Sequence, residues 1–184
     1  MALPTVADPD VATRPATPRL PVAEFKQLMA CWSTGIAVVT SEAGGEPVGC
    51  TVSAIASVSV EPPLLLIGLA ARSRTLAAIQ QQHRLGISLL PAQHVALARR
   101  FASGDPASRF ADVDYHWVGG VPVLADVVAA ARCRTERFLP VADHVLVLAE
   151  PVWWRRAPHR RPLVCYDRSY WSLWSMAVVG RNCA

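Results

Sequence analysis

The segment Gly49–Pro63, GCTVSAIASVSVEPP, decides the fold prediction because its side chains alternate along the chain. A period of two residues is the pattern of a β-strand. One set of alternate positions is apolar and the other carries short hydroxyl side chains, with Ile55 as the one interruption. The apolar positions are Val52, Ala54, Ala56, Val58 and Val60, and the hydroxyl positions are Thr51, Ser53, Ser57 and Ser59.

The small side chains of this strand leave room for a flat molecule to lie against it. Its backbone groups and the hydroxyls of Thr51, Ser53 and Ser57 could then bond the polar edge of a heterocycle. The alternative is that the strand faces another sheet and that its hydroxyls bond neighbouring backbone.

A second polar feature follows about twenty residues later, in the segment SRTLAAI at Ser73–Ile79. Ser73 is a good N-cap, and Arg74 and Thr75 fall in the first turn of the predicted helix. Because helix N-termini present unpaired N–H groups, this start could hold a phosphate with help from Arg72 and Arg74. The alternative is an ordinary cap with solvated arginines. A flat polar ring combined with a phosphate would be a mononucleotide.

Length and composition favour one domain, expected at residues 21–176 between a disordered tail at 1–20 and a C-terminal tail at 177–184. The chain has 184 residues, of which 52% are hydrophobic. Its five cysteines form no Cys-x-x-Cys pair, which predicts reduced thiols in the cytoplasm and no metal site. The sequence pattern predicts no signal peptide and no apolar membrane span, and a net charge of +4 is too small to indicate nucleic acid.

The remaining pattern predicts about seven strands with short helices between them, which favours a closed β-barrel with peripheral helices. The predicted helices begin near Pro21, Ser73 and Pro91, and residues 102–122 are expected to be loop-rich. The predicted strands include a Leu64–Leu69 strand buried on both faces, followed by strands at Val127–Phe138, Val145–Trp154 and Leu163–Trp174. The basic segment Trp153–Arg161 is predicted to be a solvated hairpin tip.

Several motifs in order resemble the short-chain flavin reductase family, whose fold is the FMN-binding split β-barrel with Greek-key topology. The resemblance covers about Val22 to Trp174. The segments that carry it are FKQLMACWSTGIAVVTS at Phe25–Ser41, GCTVSAIASVSVEPPLLLIGL at Gly49–Leu69, SRTLAAI at Ser73–Ile79, DHVLVLAEPV from Asp143 and PLVCYDRSYWSL from Pro162.

The resemblance implies binding of FMN or FAD and the use of NADH or NADPH as hydride donor. It assigns the flavin ring to Thr51, Val52, Ser53, Ala54 and Ser57, and the flavin phosphate to Ser73, Arg74 and Thr75. It adds Ser33, Thr34, Arg109 and Phe110 as further residues near the flavin, and it places Tyr170, with Trp171, at the border of the nicotinamide pocket. His144 is implied to position the nicotinamide, although a histidine at a strand entrance could also simply bond backbone.

The implied reaction transfers hydride from nicotinamide C4 to flavin N5 and supplies reduced flavin to a separate monooxygenase. The implied assembly is a homodimer. The alternatives are an oxidase or oxygenase that retains its flavin and a non-catalytic flavin-binding protein of the same fold. The chain departs from the family pattern at Ser33, Ala54 and Ala142, where Pro, Ser and Gly are usual.

Overall fold

The computed structural model describes residues 18–173, so the predicted C-terminal tail and most of the N-terminal one lie outside the described residues. Its helices are α1 (Val22–Ala30), α2 (Arg74–Gln82) and α3 (Val95–Ser103), with a 3₁₀ turn at Ala92–His94. Its strands are β1 (Thr34–Gly35), β2 (Ala37–Ala43), β3 (Glu46–Val52), β4 (Ile55–Val60), β5 (Pro63–Ala70), β6 (Arg84–Leu89), β7 (Tyr115–Val118), β8 (Val121–Leu124), β9 (Ala129–Val141), β10 (His144–Arg156), β11 (Leu163–Tyr166) and β12 (Ser169–Ser172).

Seven antiparallel strands form the main sheet in the order β3-β2-β6-β9-β10-β5-β4. The edge strands β3 and β4 are consecutive in the chain, so the sheet curls back on itself where they meet. The amide of Gly68 in β5 donates a 2.9 Å hydrogen bond to the carbonyl oxygen of Ala54, which continues the β4–β5 pairing into the short connection from β3. The sheet is therefore a barrel with a seam between β3 and β5, and the prediction of a mainly β barrel with short helices is confirmed.

Two groups of buried apolar residues hold the fold together. One fills the barrel and includes Val39, Ile67 and Leu85, each with no exposed surface. The other lies under α3 and includes Phe101 and Leu163. It is covered by the β7–β8 hairpin and by a small sheet in the order β1-β11-β12. Burial of this kind supplies most of the folding free energy of a chain of this size.

The segment Gly49–Pro63 forms two strands rather than one, and its alternation does not continue through the second. The chain leaves the sheet at Ser53 and Ala54, and β4 has a register shift between Ser57 and Ser59. Such a bulge inserts an extra residue and disturbs the alternation of side chains. The alternating pattern predicts that Val52, Ala56, Val58 and Val60 pack inside the barrel. Only Val52 does so, because Ala56 is exposed and Val58 and Val60 are 50% and 90% exposed in the single chain.

Other predicted elements are also revised. The stretch expected to be loop-rich contains the β7–β8 hairpin, whose turn at Gly119 and Gly120 takes positive φ angles. The single strand predicted at Leu163–Trp174 is the β11–β12 hairpin, with Trp174 outside the described residues. The strand predicted at Leu64–Leu69 has only Ile67 and Leu69 buried, because its other face is partly open.

The basic segment Trp153–Arg161 is not a hairpin tip. Its first part, as far as Arg156, is the end of β10, and the rest leads to β11, which does not pair with β10. Arg155 donates to the carbonyl oxygens of Leu124 and Ala125, and Arg160 forms a 2.9 Å ion pair with Asp126. Two of its arginines are thus engaged in contacts with the end of β8 and the segment after it rather than left free in solvent.

No helix among the described residues is long and apolar enough to cross a membrane. The four described cysteines, Cys31, Cys50, Cys133 and Cys165, are free thiols, and Cys183 lies outside the described residues.

Candidate functional site

A cavity of about 560 Å³ lies at the barrel seam, a volume within the range of small-molecule sites. Four parts of the chain meet there: the end of β3, the end of β5 with the start of α2, the loop after α3, and the turn before β10. Its lining residues are Cys50, Thr51, Val52, Ser53, Ala54, Gly68, Leu69, Ala70, Arg72, Ser73, Arg74, Ala102, Pro106, Arg109 and His144.

The N-terminus of α2 supplies the cationic end of this cavity. The Ser73 side chain caps the helix by accepting a 3.4 Å hydrogen bond from the amide of Leu76. Arg72 and Arg74 flank it, both exposed. The described lining contains three arginines and no carboxylate, so a helix N-terminus and nearby cations offer a seat for an anion.

Thr75 and Cys50 lie just below this seat. Thr75 is 2% exposed and lines a neighbouring crevice rather than the cavity itself. Burial raises the pKa of the Cys50 thiol, while hydrogen bonds from Thr75 and Ser73 and the charge of Arg109 partly oppose that rise. Cys50 is therefore a protonated packing residue at neutral pH, which agrees with the absence of a base beside it among the described residues.

The end of β3 presents the small residues that the alternating pattern singled out, but their roles differ. The Thr51 hydroxyl donates a 2.7 Å hydrogen bond to the carbonyl oxygen of Ala98 and so holds α3 against β3. Val52 is buried at 6% exposure. Ser53 and Ala54 are exposed, and the Ser53 hydroxyl has no protein hydrogen bond within residues 18–173. Ser53 is thus the free hydroxyl of this stretch.

His144 opens β10 at the other side of the cavity and pairs in register with Ala70. Its Nδ1 lies 2.9 Å from a carboxylate oxygen of Asp143, and that hydrogen bond lowers the pKa of the Asp143 carboxyl group. The carbonyl oxygen of Asp143 also accepts a 2.9 Å hydrogen bond from the amide of Ala71, next to Arg72. The turn that holds His144 is therefore tied directly to the anion seat.

The turn before β10 contains Ala142, one of the departures from the family pattern. Ala142 has a φ of 51°, in the left-handed region where glycine is usual. An alanine there is tolerated at some cost in strain, so the turn keeps the glycine-like conformation without the glycine.

Arg109 reaches the cavity, whereas the adjacent Phe110 does not. Arg109 donates to the carbonyl oxygens of Gly49 at 2.8 Å and Gly104 at 3.2 Å. Phe110 packs edge-on against Phe101 with ring centroids 4.9 Å apart, and against Tyr115 on its other side. Its role in the single chain is packing.

Four other predicted site residues lie outside the cavity. Ser57 lines a separate apolar groove beside Trp154 and Leu65. Thr34 pairs with Cys165 in the small sheet, and Ser33 precedes it in the chain. Tyr170 pairs with Cys165 on the other side, beneath the guanidinium of Arg99, and partial burial raises the pKa of its hydroxyl.

The cavity also contains lining residues that the pattern did not single out, chiefly Gly68, Ala102 and Pro106. Gly68 carried a usable signal, since a glycine inside an apolar strand often marks a close backbone approach. Here an added Cβ at Gly68 would lie 3.1 Å from the Cβ of Ala54. The sequence around Pro106 contains no comparable feature that would predict its place in the cavity lining.

The assembled cavity is suited to a mononucleotide. The α2 N-terminus with Arg72 and Arg74 can take a phosphate, and the seam at Ala54 and Gly68 presents a floor without large side chains. Ser53 and the adjacent backbone can bond the polar edge of a ring. The residues present therefore fit a flavin mononucleotide unit, and His144 lies within the same cavity.

Comparison with known proteins gives three close parallels. An NADH:riboflavin 5'-phosphate oxidoreductase of Streptomyces pristinaespiralis is 36% identical over 163 residues, 86% of this chain and 92% of its own. The reductase component of a 4-nitrophenol 4-monooxygenase/4-nitrocatechol 2-monooxygenase of Rhodococcus opacus is 34% identical, covering 71% of this chain and 70% of its own.

Among solved structures, an NADH:FAD oxidoreductase of Streptomyces globisporus C-1027, in complex with NAD and FAD fragments, superposes with a TM-score of 0.79 at 27% identity. The match covers 84% of this chain and 94% of that one. The family model of the flavin reductase like domain matches residues 29–173. The chain therefore belongs to the family of proteins with a flavin reductase like domain.

Proposed function

We propose that this protein is an NADH-dependent flavin reductase that passes reduced flavin to a separate monooxygenase. The observation that carries the proposal is the single cavity in which an anion seat, a small-residue floor and His144 come together. Relatives named as NADH:flavin oxidoreductases and as the reductase component of a monooxygenase support it.

Within this proposal the chain binds and orients two nucleotides. Arg72, Arg74 and the α2 N-terminus hold the flavin phosphate, and Ser53 with the nearby backbone bonds the edge of the ring. A bound flavin would supply the chemistry as the acceptor of the nicotinamide hydride. The protein must therefore hold the two rings about 3–3.5 Å apart in a stacked pose.

His144 has the position of a nicotinamide-orienting residue. Its Nδ1 faces Asp143, so its Nε2 is left for a contact within the cavity. Which ring nitrogen carries the proton depends on that contact. Hydride transfer needs no acid or base at the reacting carbon, so His144 serves orientation rather than proton transfer.

The cavity suits a flavin that leaves after reduction. The Ser53 side chain and the exposed arginines are small or flexible partners. Cys50 lines the cavity but is protonated at neutral pH because burial raises its pKa, so it is not activated to attach the ring covalently. Moderate binding matches delivery to a separate enzyme better than permanent retention.

We also propose a homodimer in the cytoplasm. The face of α1 carries Phe25, Leu28 and Met29, which are 53%, 61% and 46% exposed. The apolar groove beside β4 exposes Trp154 at 68%. Large exposed apolar patches usually mark an interface, and a second copy would cover them. Free cysteines agree with a reducing compartment.

A four-way kinetic comparison of FMN and FAD with NADH and NADPH tests the reductase function. NADH is expected to support turnover with excess free flavin. Flavin that copurifies tightly and shows no turnover with added flavin would instead favour the flavin-retaining or non-catalytic alternative.

A further inference from the structure

The loop at residues 104–111, between α3 and β7, forms one wall of the cavity. Pro106 and Arg109 are its two lining residues. Arg109 donates from Nη1 to the carbonyl oxygen of Gly49 in β3 and from Nε to that of Gly104 at the beginning of the loop. The Arg109 guanidinium thus links the beginning of the loop, at Gly104, to Gly49 in β3.

Gly49 receives a second contact from the same loop. A Cβ at Gly49 would lie 3.1 Å from Phe101 Cε1 and 3.2 Å from Phe110 Cζ. The two rings therefore press against the bare Cα of Gly49, and Phe110 belongs to the loop. The loop is docked on one residue of β3 by a polar contact and by an apolar contact.

This docking closes the space between the loop and α2. The crevice lined by Val48, Gly49, Arg74, Thr75, Pro106 and Arg109 has a volume of about 10 Å³. That is room for one water molecule at most. The wall beside the anion seat is therefore packed, and its position depends on the residues that hold it.

We infer that Arg109 is a positioning residue for flavin binding, which acts by holding the loop wall on Gly49 rather than by pairing with the flavin phosphate. The inference rests on the proposed flavin-binding function. Arg109 already uses two of its N–H groups on backbone carbonyls, whereas the exposed Arg72 and Arg74 stand at the helix N-terminus. Its forked donor geometry is what bridges two carbonyls, and a lysine cannot reproduce it.

Paired substitutions separate positioning from charge. Arg109→Lys keeps the charge and loses the fork, and Arg109→Gln loses both. Each variant is titrated with FMN and with riboflavin, which lacks the phosphate, by flavin fluorescence. If Arg109 positions the wall, both variants weaken both ligands to a similar extent, by about tenfold for one charge-assisted hydrogen bond. The KM for NADH stays near the wild-type value.

The matched control is Arg100→Gln. Arg100 donates a 2.7 Å hydrogen bond to the carbonyl oxygen of Ala111, at the other end of the same loop, and does not line the cavity. It is expected to leave both flavin affinities within about twofold of wild type. Thermal unfolding of all three variants identifies any that fails to fold. If Arg109→Gln fails to fold, the flavin affinities of Arg109→Lys test the inference.

Two results overturn the inference. One is an Arg109→Lys protein with wild-type FMN affinity beside an Arg109→Gln protein that loses FMN but not riboflavin, which would make Arg109 a phosphate ligand. The other is a loss in Arg100→Gln equal to that in the Arg109 variants. A wild-type protein that binds neither flavin would contradict the proposed function instead, so the two failures are distinguishable.

Discussion

The amide of Gly68 donates a 2.9 Å hydrogen bond to the carbonyl oxygen of Ala54, and both residues line the cavity. The contact continues the β4–β5 pairing into the short connection from β3, beside the barrel seam. The small-residue floor proposed for the flavin is therefore built partly from paired backbone of the main sheet. A change there should affect binding and stability together.

Gly68→Val should damage flavin binding more than it damages folding. Even one Cβ at this position lies 3.1 Å from that of Ala54, and a branched side chain would also intrude on the cavity floor. We expect flavin affinity to fall by about tenfold or more, with a stability loss of about 1–3 kcal/mol. Flavin titration and urea unfolding measure the two effects.

The control for Gly68 is Gly35→Ala, since a Cβ at Gly35 meets nothing within 4 Å. Gly35 lies in the small sheet, away from the cavity. Equal flavin affinity in Gly68→Val and wild type would show that the seam is not the floor of the binding site.

Ser53→Ala and Ser57→Ala should behave differently although both serines belong to the same sequence pattern. Ser53 lines the cavity, whereas Ser57 lines the apolar groove. Loss of one hydrogen bond to flavin is expected to weaken binding by about threefold to tenfold in Ser53→Ala only. If fluorescence titration showed weaker flavin binding in Ser57→Ala than in Ser53→Ala, the flavin would be placed beside β4 rather than in the cavity.

His144→Ala should raise the KM for NADH more than the KM for flavin. The predicted cause is loss of a contact that orients the nicotinamide, worth about threefold to tenfold in KM. His83→Ala is a suitable control because His83 is the C-cap of α2 and does not line the cavity. An equal rise in both KM values would remove a special role for His144 at the nicotinamide.

The stability of the protein should fall at alkaline pH because of Cys133. Burial raises the pKa of this thiol from 9.0 to about 12. Its folded pKa lies above its unfolded pKa, so its contribution is complete below about pH 9 and is lost as the pH rises toward 12. Between about pH 8 and pH 10 the loss is about 1.4 kcal/mol.

Urea unfolding at both pH values checks this prediction. Cys133→Ala should be less stable at either pH but should lack this part of the pH dependence. Cys31→Ala, at an exposed thiol, should keep the wild-type slope. A Cys133→Ala protein with an unchanged slope would rule out the buried thiol as the cause.

Substitution of Trp154 by Arg should shift the protein from dimer toward monomer if the apolar groove is the subunit interface. Trp154 lines that groove and is 68% exposed in the single chain. Light scattering after size-exclusion chromatography measures the molar mass. Trp117→Arg, at an exposed residue of the β7–β8 hairpin, is the matched control. A wild-type protein that is monomeric at high concentration would contradict the proposed assembly.

Sequence patterns predicted the barrel, the α2 start and the position of His144 because each depends on local periodicity or on an ordered set of motifs. They failed in β4, where the register shift between Ser57 and Ser59 changed the side-chain alternation without any glycine or proline to mark it. Such a shift depends on the partner strand, so a single stretch cannot reveal it.

The same limit applies to the site. The pattern placed Thr51 and Ser53 in one row of hydroxyls, but only the fold brings Ala98 within reach of Thr51 and leaves Ser53 free. The resemblance named Arg109 and Phe110 of the 104–111 loop, but it did not reveal how the loop is held, because its docking depends on Gly49, about sixty residues earlier in the chain. Contacts over such separations follow from tertiary packing rather than local composition.

The most direct test of the central claim is the number of flavin molecules that one protein molecule reduces. The protein is mixed without oxygen with a large excess of FMN or FAD and with NADH, and flavin reduction is followed by absorbance. The account predicts many equivalents of free flavin reduced per protein, at a rate that depends on the protein concentration. Reduction that stops at or below one equivalent, or that equals the rate without protein, would contradict it.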